Sequence, residues 1–257
     1  SYFLMVLLAA ALCFVPLFNI LSYEFSLAIS LLASVTSFSI GLKSASVHRK
    51  LNQAWLQASI HSYGQLLLPL LLICLNAFRV RNCDFEVGFI FYVFLPLASV
   101  TLNTPLGVLA HALFAPRKAM HRIATGIVFL GAPLGSILWD FYSQPPISVF
   151  SHVWGYNPGT LYDEAIAPDE RLFAWRCLTL VGALTAVVLI NCFDRLNLEQ
   201  TKKLLVTGLL AFCFYHLDQQ IGSHYLYRVD RDVLAEKLSV IREAPGLVIH
   251  LPTEIHP

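Results

Sequence analysis

Seven apolar stretches, joined by connections whose Lys and Arg content alternates high and low along the chain, leave this sequence few ways to fold. A hydrocarbon core of roughly 30 Å satisfies no backbone hydrogen bond, so only helices or closed barrels cross it. These stretches are continuous rather than alternating, which selects helices. Composition agrees: of 257 residues, 57% are hydrophobic and only 13% charged, and a mean hydropathy of +0.66 is too apolar for an ordinary soluble domain.

The expected spans are 2–21, 25–42, 63–78, 87–114, 123–141, 172–193 and 204–217. Lys43, Arg49 and Lys50 follow the second; Arg117, Lys118 and Arg122 follow the fourth; Arg195, Lys202 and Lys203 follow the sixth. These basic connections are expected in the cytoplasm. The intervening ones carry Glu24, then Arg79 and Arg81 with Asp84 and Glu86, then a long loop with Asp163, Glu164, Asp169 and Glu170, and are expected outside. The expected fold is therefore all-α: a polytopic transmembrane helix bundle of about seven spans, N-terminus in and C-terminus out. Residues 1–217 form the membrane domain with an outward loop at 142–171, and 218–257 form a short extracytoplasmic tail.

In that tail the pattern predicts a helix over 232–242 and a strand over 246–251. One strand cannot bury itself, and the first residue is Ser rather than Met. The expectation is that the chain is cut from a longer protein or docks its tail on a partner. Residues 44–62 place Val47, Leu51, Trp55 and Ala58 at helical spacing with polar residues elsewhere. They predict either a helix lying in the cytoplasmic interface or an extension of the third span into the cytosol.

Ionisable residues are expected only near span ends, with Asp140 and His216 outermost and His61, His111 and His121 innermost. Ion-coupled carriers place charges near the midplane despite a cost of roughly 3 kcal/mol or more each, so a pump is disfavoured on this reading. Helix breakers occur at Asn103-Thr104-Pro105 and in 131–136, where Gly131 and Gly135 form a small-xxx-small pair. These read as close helix packing, with a cavity lining as the functional alternative. Two histidine groups could in principle ligate haem or zinc: His61, His111 and His121 inside, and His152, His216 and His224 with Asp218 outside. No two share a helix at i, i+3 or i, i+4, and the ligand-rich HLPTEIH at 250–256 is not HExxH. Cys13, Cys74, Cys177, Cys192 and Cys213 lie in spans as small hydrophobes. Cys83 alone lies in an outward loop, so an internal disulfide there is not expected. No Walker A, GxSxG or CxxC occurs, and a net charge of +1 offers no field for nucleic acid.

The outward loop is the expected working surface. Loops longer than about 12 to 15 residues tend to be functional or to dock on something, and interfacial aromatics suit the headgroup layer or a protein partner. The expected partner-binding residues are Phe150, Trp154, Tyr156, Tyr162, Asp163 and Glu164, the last two also being candidates for a cation site. No catalytic residue and no cofactor is expected, and metal ligands stay unassigned.

Three phrases, VPLFNILSYEF (15–25), NAFRVRNCDFEVGFIFYVFLP (76–96) and WGYNPGTLYDE (154–164), resemble the multi-span N-terminal part of uncharacterised bacterial inner-membrane proteins that carry an extracytoplasmic domain similar to metallopeptidases of the MA type. The resemblance implies an anchor in a bacterial inner membrane and assigns no catalytic residue. Three functions follow as expectations. The first is a non-catalytic anchor or assembly subunit presenting its outward loop and tail to a partner protein or a further domain. The second is a membrane-embedded zinc hydrolase resembling the ceramidase and adiponectin-receptor-like group, whose HxxxH helix has no counterpart here. The third is a haem-binding electron-transfer subunit.

Overall fold

The computed structural model describes residues 2–82, 84–114, 126–143, 149–157, 166–196, 198–225, 240–244 and 247–251. Its helices are α1 (Tyr2–Leu12), α2 (Tyr23–Val47), α3 (Leu51–Asn76), α4 (Phe85–Tyr92), α5 (Ala98–Phe114), α6 (Ala132–Ser143), α7 (Glu170–Leu196) and α8 (Gln200–His224). Wider π-type turns at Val93–Leu97 and Ile127–Gly131 join α4 to α5 and lead into α6. Among the described residues four helices are long and apolar enough to cross a membrane: α2, α3, Phe85–Phe114 as one unit, and α7. Each expected span overlaps a helix, but α1 covers only residues 2–12 of the first, too short for a core of roughly 30 Å at 1.5 Å per residue, and α8, which holds the seventh, is not among the four.

Local chemistry sets the ends of these helices. The Ser22 side chain accepts the Phe25 amide at 3.3 Å, capping α2, with Glu24 in the first turn where the helix dipole favours an anion. At the other end His48 and Lys50 are extended. The α3 N-terminus has no local cap and is capped across the bundle instead: Asp194 Oδ1 accepts from Leu51 N at 2.9 Å and Oδ2 from Asn52 N at 2.8 Å. This corrects the interfacial-helix alternative for 44–62. Residues 51–62 are the first turns of α3, and their Ala54 and Ala58 face the bundle.

The chain weaves between two ends. The α2–α3 link, the end of α5 and the α7–α8 link meet at one of them, where Ala45, Ala54, Val108, Leu113 and Phe193 share a core. Cys13, Leu21, Asn76 and Arg79 lie toward the other, Arg79 donating to the Cys13 carbonyl and Asn76 Nδ2 to Asn19 O at 2.6 Å. The tightest seam joins α2 and α5. A Cβ on Gly41 would strike the Thr104 carbonyl, and one on Gly107 the Phe38 carbonyl, so the backbones touch only because both side chains are missing.

Two hairpins complete the described structure. In the first, β1 (Val149–Ser151) pairs antiparallel with β2 (Gly155–Asn157), Phe150 facing Tyr156. Gly155, at φ +127°, supplies the backbone conformation that closes it. In the second, β3 (Val240–Ala244) pairs antiparallel with β4 (Leu247–Leu251). The tail expectation is thus corrected in part: the strand exists over Leu247–Leu251, but Val240–Arg242 belong to its antiparallel partner rather than to the end of a helix.

Candidate functional site

The first hairpin does not hang free; it is stitched into the bundle. On α2, Ser26, Ser30, Ser34 and Ser37 fall on one face by helical spacing and are buried. Facing them on α5 are Ser99 and Asn103, one turn apart and also buried. Two carbonyls of the hairpin turn enter this polar seam. Val153 O accepts from Ser34 Oγ at 2.6 Å and from Asn103 Nδ2 at 3.2 Å, and Trp154 O from Ser30 Oγ at 3.5 Å. Ser30 and Ser99 hydroxyls share a bond of 2.9 Å. Turn carbonyls carry no ladder partner, so serines supply what water would otherwise provide.

The hairpin sides are held as firmly. Tyr23 Oη donates to Tyr156 O at 2.6 Å, and Trp154 Nε1 to Leu130 O at 3.1 Å. Phe150 stacks against Tyr156 and Trp175 at ring separations of 4.5 and 5.2 Å. Burial pushes the Tyr156 phenol up, the Asp169 carboxylate adding to the rise and Arg171 partly opposing it. His152 bridges two helices: Nδ1 lies 2.7 Å from Thr179 Oγ1 on α7 and Nε2 lies 3.0 Å from Asp218 Oδ1 on α8. Asp218 is only 3% exposed, which makes this a sheltered pairing rather than a surface one.

Beside it lies a group that the sequence reading passed over. Arg176, in the second turn of α7, is completely buried; it lies near the start of its expected span but is absent from the ionisable residues expected at span ends. Its guanidinium lies over the Trp175 ring at 3.8 Å, and Nη2 donates to Leu95 O and Ser99 Oγ, both at 3.4 Å. Among the described residues Nε and Nη1 have no hydrogen-bond partner.

A cavity of about 650 Å³ opens beneath the hairpin, between α5, α7 and α8. Leu102, Leu106, Leu189 and Phe214 make it apolar, and His152 and Tyr215 supply polar edges. Its chemistry is that of a slot for a hydrocarbon chain. At its edge both nitrogens of His152 face protein partners, the Thr179 hydroxyl and the Asp218 carboxylate.

The expected partner-binding residues separate into two groups. Phe150 and Tyr156 are buried against this chain's own helices, and Trp154 is half-buried. Tyr162, Asp163 and Glu164 lie outside the described residues. Of the outer histidine group, His152 meets Asp218, while His216 packs on Phe212 and Tyr215 and His224 on Tyr225. Of the inner group, His61 packs on Tyr2 and His121 lies outside the described residues. Among the described residues no three His, Cys, Asp or Glu side chains converge as a metal site. The chain matches no protein-family model, and comparison with curated proteins and with solved structures returns no match.

Proposed function

We propose that this chain is a non-catalytic membrane anchor or assembly subunit of a bacterial inner membrane, with about seven membrane-embedded helices, its N-terminus inside and its tail outside, presenting its outward loop (142–171) and the tail to a partner protein or a further domain. The observation that carries the reading is the latch between His152 and Asp218. Asp218 lies one and a half turns from the end of α8, the helix that leads to the tail. Fixing it to the hairpin, and the hairpin to α2 and α5, gives the tail a stiff root rather than a loose tether. The gathering of two basic links at one end of the bundle supports the proposed orientation.

Photo-crosslinkers placed at Tyr162 and Glu164 in intact membranes, followed by purification in mild detergent, test the reading. A discrete covalent adduct is the expected product; a lone, homogeneous and uncrosslinked species would overturn it. Thiol labelling of Lys202→Cys from the cytoplasmic side only is expected for the proposed orientation.

A further inference from the structure

At the basic end of the bundle lies a second pocket, of about 590 Å³, lined by Arg49, Lys50, His111, Asp194, Gln200 and Lys203. We infer that it holds the phosphate of an anionic phospholipid. Three full positive charges face one carboxylate, and that carboxylate is occupied: both Asp194 oxygens accept α3 amides. Arg49, Lys50 and Lys203 make no ion pair among the described residues, whereas their neighbour Lys202 is paired with Glu199 at 3.4 Å. The connection after α5, residues 115–125, holds three Lys or Arg and no acid in its sequence, so it brings no charge that would neutralise the pocket. Three cations around the single Asp194 carboxylate leave the pocket with a surplus of positive charge, and an anion between the cations relieves their mutual repulsion.

A lipid fits better than a free ion because the pocket is two-sided. Leu51, Ala112 and Phe193 also line it, and it lies where α3 begins and α5 and α7 end, three of the helices long enough to cross a membrane. A phosphodiester would meet the cations there while its acyl chains stay along the apolar flank. A zwitterionic headgroup would bring its own ammonium against the same cations. The inference rests on the membrane-spanning reading of these helices and not on the anchor role, so loss of lipid retention and absence of a crosslinked partner are separate failures.

Native mass spectrometry of the detergent-purified chain, titrated with phosphatidylglycerol or phosphatidylcholine, reads the site directly. The expected result is one retained phosphatidylglycerol and no retained phosphatidylcholine. Arg49→Gln/Lys50→Gln/Lys203→Gln should weaken retention on the order of a hundredfold, at about one kcal/mol per cation. The charge-matched Lys43→Gln/Arg195→Gln/Lys202→Gln should leave it nearly unchanged. Equal losses in both triples, no loss in the first, or full displacement of the lipid by excess inorganic phosphate would overturn the inference. Lys203→Gln alone, expected to weaken retention roughly fivefold, keeps the test decisive if the first triple does not fold.

Discussion

The α2–α5 seam and helix α8 are held in two different ways: α2 and α5 belong to units long and apolar enough to cross a membrane, where burying oil gains little because lipid tails are as apolar as leucine. Along the seam, glycines let two backbones touch, and serines on α2 face polar side chains on α5. Helix α8 has comparable length, 25 residues, yet Leu204, Leu205, Leu209, Phe212 and Tyr215 are exposed, and only Asp218 and Gly222 are buried. Its hold on the bundle includes the His152–Asp218 contact near its C-terminal end and Phe214 resting against Gly182. Hydrophobicity alone therefore places a helix in the layer without fixing it to its neighbours; small residues and buried polar pairs do that.

If this contrast is right, the largest effect comes from the seam. Gly107→Leu should destabilise by about 4 kcal/mol or more, because the new side chain meets backbone that cannot yield. A denaturant titration in mixed micelles measures it, and a change comparable to that of Gly208→Leu on α8, where a Cβ meets nothing within 4 Å, would erase the distinction. Next, Asp218→Ala should cost about 2 to 4 kcal/mol by leaving His152 without its carboxylate, and should loosen α8 selectively, seen as faster amide exchange there than in α2. The smallest effect belongs to Ser34→Ala, about 0.6 kcal/mol, since Asn103 still donates to Val153 O.

How far the sequence disclosed this structure follows from the same distinction. Hydropathy located the four helices long and apolar enough to cross a membrane among the described residues, because solvation in lipid is a property of each stretch by itself. It could not locate the hairpin, whose strands are three residues each and whose hold depends on serines more than a hundred positions away. The serine row was visible at 26, 30, 34 and 37 as a regular polar stripe inside an apolar stretch, and Arg176 was visible as a lone charge in Phe173-Ala174-Trp175-Arg176. Both are signals of buried polar partners within a span. Which partners they meet is a matter of tertiary arrangement. Histidine proximity was anticipated only as a group: of the outer set, His152 reaches Asp218, and the rest pack on aromatics.

The wider turn at Val93–Leu97, around Pro96, has a consequence for every residue after it. A π-turn amounts to one extra residue in the winding, and each residue advances a helix by about 100°. Delete one there and an ordinary α-helix would close up with Ser99, Asn103 and Gly107 still turned toward α2, because the wide turn already absorbs the surplus residue; the same deletion in plain helix would swing all three by about 100°. The wide turn is thus the place where this helix can lose a residue and keep its working face.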